Sequence, residues 1–536
     1  MKRRDFIKML GLTALSTGIP FPALMAIAAE TTRVLPIAPL LRPEDGRLLL
    51  TVQEGQTTWF GRKVKTWGYS ADILGPTLAL RKGELVAMNV QNRLPESTAL
   101  HWHGLEVPGI ADGGPQAMIP AGGSWKPTIR VDQPASTCWY HPHPHQRTGF
   151  QVAMGLAGMI IVEDETSDAL ALPKTHGVDD IPVVIQDKRL DENFQISYAM
   201  DVMTATVGWF GDLMITNGAF YPHHEAPQGW VRLRLLNGCN ARSLRLACSD
   251  NRPMYVIASD GGFLETPIQV HQLDMLMGER FEVLIDLGSG RDVDLLSLPV
   301  RQPGMNIPPF DQSVPVLRLQ PNSKPGHRSM PKALVKLPAI PSHQHLPIRY
   351  IDLSMDHWMM MQGMRELRDR FGGSMGPMMG GGMMGAGMMG GGMMGGGMMG
   401  RGRGMMGRGM MGGSGGDIWK SNMINGRAFT MNYASFDVKV GQYEKWIVNG
   451  SDMMLHPFHV HGCQFRILQE NNRPPLPHRR GLKDTVLVQG GESVILVRFK
   501  HQAPPERMYM AHCHLLEHED TGMMMSFTTS AAKTRR

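Results

Sequence analysis

The chain has 536 residues, 42% of them apolar and 19% charged, the balance of a water-soluble globular protein that is too long for one core; about three or four domains are expected from the length. Its formal net charge is +6, and Lys2, Arg3, Arg4 and Lys8 against Asp5 place +3 of it within residues 1–28. The remainder forms no basic cluster, which argues against a nucleic-acid partner.

Taken in chain order, residues 1–28 combine a basic head, the pair Arg3-Arg4 followed by Phe6, an apolar run broken by Pro20 and Pro22, and the small-residue ending Ala26-Ile27-Ala28. That pattern predicts a twin-arginine-type export leader, and hence a periplasmic protein. No later run is long and uncharged enough to span a bilayer, so no membrane contact is expected once the leader is removed. There are five cysteines, Cys138, Cys239, Cys248, Cys463 and Cys513. An odd count in an oxidising compartment leaves at least one unpaired, and the pairing of the four other than Cys513 is open.

Short apolar runs at Thr77–Leu80, Leu85–Val90, Gly158–Val162 and Val494–Phe499, separated by Gly, Pro, Asn and Asp turns, predict strands and an all-β fold of Greek-key sandwiches. One phrase, a strand ending in Asn, occurs three times. Leu85–Asn92 precedes Leu100-His101-Trp102-His103, Trp230–Asn237 precedes Leu244-Arg245-Leu246, and Tyr443–Asn449 precedes His456-Pro457-Phe458-His459. Three sandwiches over 29–168, 169–335 and 336–536 follow, with histidines in the outer two only. The third carries a Met-rich insertion over 355–416. From residue 372 its Met-Met doublets are separated by glycine, a composition that cannot recover the entropy of ordering a core, so a flexible segment is expected.

Four motifs hold nearly half of the 21 histidines: His101-Trp102-His103, His141-Pro142-His143, His456-Pro457-Phe458-His459-Val460-His461 and His512-Cys513-His514 with His518 beyond. In a strand, residues two apart share a face, so each His-x-His offers two imidazoles to one place. Cys513 points the other way from its neighbours and is free to bind a different metal. Two histidines, one thiolate and a weak axial methionine form a blue-copper set, and His456, Cys513, His518 and Met523 supply it. Zinc is disfavoured, because eight paired imidazoles around one cysteine overshoot a four-ligand site.

With these motifs in this order, the sequence resembles the multicopper oxidases, a group that includes laccases and ascorbate oxidases. Glu106-Val107-Pro108-Gly109, Asp112-Gly113-Gly114-Pro115-Gln116 and Glu519-Asp520-Thr521-Gly522-Met523-Met524 are similar to phrases of the bacterial periplasmic cuprous oxidases. The resemblance implies three cupredoxin-like domains, dioxygen as acceptor and four copper ions. His456, Cys513, His518 and Met523 would hold the blue (type 1) copper, and His101 and His459 the type 2 copper. His103, His141, His143, His461, His512 and His514 would hold the coupled type 3 pair. Asp112 and Glu519 are candidates for supplying protons. His145 is a spare, solvent-exposed or behind the ligands. A monomer is expected.

Three readings of the biological role stand at this point. In the first, the substrate is Cu(I), oxidised for copper tolerance; the soft thioethers of the insertion collect it, and the subgroup's substrate-copper site maps onto Met355, Asp452 and Met454. Met360 occupies the place of a family aspartate, with Asp356 as a compensating carboxylate. In the second, the protein is a laccase-like oxidase of phenols. In the third, it sequesters copper; a complete electron path argues against that, because storage needs none.

Overall fold

The computed structural model describes residues 33–308, 310–372, 416–450 and 452–532. The expected leader 1–28 and the doublet-bearing segment 373–415 therefore lie outside the described residues.

Six sheets pair face to face around three cores. The first pair is built from strands between Leu40 and Glu163, the second from strands between Asp180 and Pro325, and the third from strands between Ile348 and Ser530. Each core draws on both of its sheets: Leu50 and Val90 meet Leu78 and Val162 in the first, Val183 and Leu235 meet Leu246 and Leu295 in the second, and Val448 and Ile495 meet Phe458 and Phe527 in the third. This is the mostly-β, cupredoxin-like architecture that the alternating apolar runs predicted. The predicted strands appear as Thr77–Arg81, Leu85–Asn92, Gly158–Glu163 and Glu492–Arg498, and the repeated phrase as Leu85–Asn92, Trp230–Asn237 and Tyr443–Gly450.

The repeat has a physical basis in its asparagines. Asn92 accepts from the Leu94 N–H and donates to the carbonyls of Glu96 and Ile119; Asn237 accepts from the Cys239 N–H and donates to those of Arg242 and Met275. In both, one buried amide turns the chain out of its strand and satisfies the backbone of the following loop.

The start of the insertion is ordered. His357–Phe371 is a helix whose first turn is capped by Asp356, its carboxylate accepting from the Met359 N–H at 2.9 Å. Asp356 thus has a structural task. The helix buries Met359 and Leu367 and lies against a short helix, Val202–Val207, at backbone distance: a Cβ on Gly363 would stand 2.0 Å from Thr206 Oγ1 and 2.8 Å from the Val202 carbonyl. Gly363→Ala is expected to destabilise the protein by about 1–3 kcal/mol through overpacking. Calorimetry would register this as a lower Tm, and an unchanged Tm would count against the contact.

Among the described residues no helix is long and apolar enough to cross a membrane.

Candidate metal centre

Strand register brings the four motifs together. Leu100–His103 is an edge strand of the first sandwich and pairs antiparallel with Ser136–Pro142, with His101 opposite His141. In the third sandwich His456–Val460 pairs with Tyr509–Cys513, which sets His459 opposite His512 and Phe458 opposite Cys513. Alternation then sends Cys513 to one face and His512 to the other. The two sandwiches meet with their imidazoles interleaved: the His101 ring stacks on His461 and the His103 ring on His459, each at 3.7 Å between centroids.

On one face of the strand, His456 Nδ1, Cys513 Sγ and His518 Nδ1 form a triangle with edges of 3.6, 3.7 and 3.3 Å. Three such donors, each about 2.0–2.3 Å from a common centre, would stand at these spacings in a trigonal plane. The outer nitrogens are engaged: His456 Nε2 bonds Asp452 Oδ1 at 2.9 Å, and His518 Nε2 donates to the Thr206 carbonyl at 3.0 Å. Those bonds fix both rings with Nδ1 inward. Met523 is fully buried, and its backbone is bonded to both Cys513 and His518. Burial pushes the Cys513 thiol well above its ordinary range and His518 down to about 3.

On the other face eight imidazoles converge, each at most 1% exposed. His143 Nε2 and His461 Nε2 stand 3.3 and 3.1 Å from His512 Nε2. His103, His141 and His514 form a second group, with ring centroids 5.0–5.6 Å apart. His101 and His459 lie between the strands of the two domains, 5.8 Å apart. Burial alone takes His512 down to about 4, and burial with the neighbouring imidazoles holds the others well below their usual value.

Three buried carboxylates bracket six of the eight rings. Asp112 takes His461 Nδ1 on its side chain at 2.7 Å and His101 Nδ1 on its carbonyl at 3.0 Å. Glu519 lies 3.4 Å from His143 Nδ1 and 3.2 Å from His512 Nδ1. Asp484 takes His103 Nε2 on its side chain at 3.2 Å and His459 Nδ1 on its carbonyl at 2.8 Å. Burial raises the carboxyls of Asp112 and Glu519 well above the ordinary range, with Asp520 adding to the effect at Glu519.

Most of these rings engage one nitrogen outward, and several buried ring nitrogens are left unpartnered. His101 Nε2, His103 Nδ1, His141 Nε2, His459 Nε2 and both nitrogens of His514 are buried without a hydrogen bond. An orphaned buried polar group costs about 1–3 kcal/mol, and converging neutral lone pairs repel one another besides. A set of metal ions removes that cost, and an imidazole-and-thiolate donor set fits copper.

The sequence reading located all eight imidazoles and the Cys513 site, and both Asp112 and Glu519 lie against the histidines. It missed Asp484, whose Lys-Asp-Thr surroundings carry no motif, and Thr206. His145 is half-buried, its ring 4.8 Å from that of Phe429, and burial takes it down to about 4. Asp452 accepts from the Met454 N–H as well as meeting His456. Met355 ends the strand Ile348–Met355, and Met360 lies in the helix that follows. Asp352, also missed, has its carboxyl raised by burial and by the charge of Asp452. All five cysteines are buried free thiols.

Comparison with known proteins agrees with this geometry. Family models described as multicopper oxidase match residues 51–167 and 408–533. A protein named cell division protein FtsP, from Sodalis glossinidius (strain morsitans), is 35% identical over 98% of both chains. Among solved structures, the laccase-like multicopper oxidase CueO of Ochrobactrum sp. is 34% identical with a TM-score of 0.76, covering 92% of this chain and all of that one. A laccase from Pediococcus acidilactici is 30% identical with a TM-score of 0.74, covering 93% and 94%. Sequence relatives spanning the whole chain, a shared fold and two buried donor sets of this kind point the same way: the chain belongs to the multicopper oxidase family.

Proposed function

We propose that this protein is an exported oxidase that couples one-electron oxidation of Cu(I) to the four-electron reduction of dioxygen to water. The observation that carries the reading is the joining of two separate donor sets by one strand. Cys513 belongs to the first, and its covalent neighbours His512 and His514 to the second. Copper held by His456, Cys513, His518 and Met523 would supply one-electron chemistry, and copper held by the eight other histidines would supply the reduction of dioxygen.

The remaining work falls to the chain. His101 and His459 would hold the type 2 ion, and His103, His141, His143, His461, His512 and His514 the coupled pair. Forming two waters consumes four protons. Asp112 and Glu519, with carboxyls raised by burial and adjoining His461 and His512, are the groups placed to relay them. Asp452 is bonded to His456, so a donor docked at Asp452 reaches the first set through one imidazole. Met355, Met360 and Met454 offer soft sulfur to cuprous ion nearby, and the methionines of 373–415 would gather it. The leader places this chemistry in the periplasm.

Two other readings have support. The Ochrobactrum relative is described as active towards lignin model compounds and lignosulfonate, which favours phenolic reductants. The name carried by the Sodalis relative favours a role in cell division, with catalysis secondary.

Oxygen uptake by copper-loaded protein, with Cu(I) and with a phenol as reductant, tests all three. Cu(I) oxidation is expected at a stoichiometry of four Cu(I) per dioxygen. Deleting 373–415 is expected to slow Cu(I) oxidation and to leave phenol oxidation equal or faster. Uptake with phenol alone would replace the Cu(I) reading with the laccase reading, and no uptake with either would overturn the oxidase reading.

A further inference from the structure

The middle sandwich holds none of the twelve residues assigned to copper, yet it closes on the centre. Gly278, at φ +79°, packs against the His514 ring so tightly that a Cβ there would stand 2.9 Å from His514 Nε2. Two residues on, Arg280 is completely buried and spends every N–H it has. Nε donates to the Thr137 carbonyl at 3.0 Å. One terminal nitrogen donates to the Gly278 carbonyl at 3.0 Å and Asp484 Oδ1 at 2.9 Å; the other donates to the Asp260 carbonyl at 3.2 Å and Asp484 Oδ2 at 2.6 Å. Five donors meet five acceptors, taken from all three sandwiches. The two bonds to Asp484 form a fork that allows its carboxylate one orientation.

That orientation matters because Asp484 sets His103. His101, His141, His459, His461 and His512 each engage Nδ1 with a carbonyl or carboxylate, leaving Nε2 for the cluster. His103 is reversed: Asp484 Oδ1 takes its Nε2, and the orphaned atom is Nδ1. Asp112 and Glu519 differ from Asp484 in company. Among the described residues their ion-pair partners are histidines alone, whereas Asp484 is locked by a guanidinium.

Resting on the copper-centre reading above, we infer that Arg280 is a positioning residue: by clamping Asp484 it makes His103 present Nδ1 to the cluster and holds His459 stacked beside it. The three carboxylates therefore divide the work. Among the described residues Asp112 and Glu519 form ion pairs with histidines alone, and Asp484 is a fixed strut braced from the middle sandwich.

The test uses the full chain with Asp484→Asn and, separately, Arg280→Lys, which keeps the charge and loses the fork. In metal-free wild-type protein, nitrogen NMR of labelled histidine is expected to show His103 protonated at Nε2; in D484N that tautomer preference is expected to be lost. After copper loading, dialysis against a chelator is expected to strip cluster copper from both variants with about 10- to 100-fold weaker retention, the range for losing an outer partner of a ligand. Blue absorbance is expected to match wild type. Unchanged tautomer and retention in R280K overturn the inference, as does loss of blue and cluster copper in parallel, which marks a general structural role. Should D484N fail to fold, R280K decides by the same two measurements. A wild-type protein that shows the His103 tautomer but takes up no cluster copper refutes the oxidase reading and leaves the clamp standing.

Discussion

Cys513→Ser is expected to give a folded, colourless protein that takes up no oxygen with any reductant. The substitution removes one of the three donors in the 3.3–3.7 Å triangle and puts a hard hydroxyl in place of a soft thiolate. The strand Tyr509–Cys513 keeps its backbone pairing, and the imidazoles behind it keep their bonds to Asp112 and Asp484. Copper content is therefore expected to fall by the blue ion alone. Turnover should fall by more than the roughly 100-fold typical of losing a mere outer partner, because the route between the two sets is cut. Visible absorption, copper analysis and an oxygen electrode together check this. Retained uptake would show that electrons reach the cluster without passing the sulfur.

The second large effect is expected at Glu519. Glu519→Gln keeps the shape and the acceptor for the Thr148 hydroxyl, which the native side chain takes at 2.8 Å. It removes the one thing an amide cannot do there, which is to give up and regain a proton between His143 and His512. Turnover should drop by about 10²–10⁴-fold, the contribution of a positioned acid–base group, with blue colour and copper content unchanged. Burial raises the native carboxyl above its ordinary range, which favours its protonated form, and the glutamine keeps that neutral shape without being able to exchange a proton. Native turnover in the variant would move the proton path to Asp112 or to solvent.

Much of this centre was legible because its information is local. Period two within a strand decides that His512 and His514 face away from Cys513, and no tertiary knowledge is needed to see it. The strand phrase ending in Asn announced its own repetition, and in two of its three copies, at Asn92 and Asn237, a buried amide serves the loop that follows. Asp484 and Arg280 were not legible for the opposite reason. They lie 204 residues apart and meet by domain packing, and a single Asp between Lys483 and Thr485 has no periodicity to betray it. The helix His357–Phe371 was hidden in a different way. Its methionines drew attention as soft ligands, with Met360 set against a substrate site, although Asp356 stood at its start as a capping residue, and its tight contact depends on Gly363, which sequence logic counts as a helix breaker. Asp356, read from the sequence as a compensating charge for substrate, also caps this helix through Oδ1.

Both donor sets lean on the middle sandwich for an outer bond: the Thr206 carbonyl orients His518, and Arg280 braces Asp484. Biogenesis acquires an order from this. The C-terminal portion carries most of the donor atoms, yet alone it has neither brace, and metal affinity built from rings of undefined tautomer is poor. Ion capture is thus expected to follow docking of the three sandwiches, because only then are both braces in place.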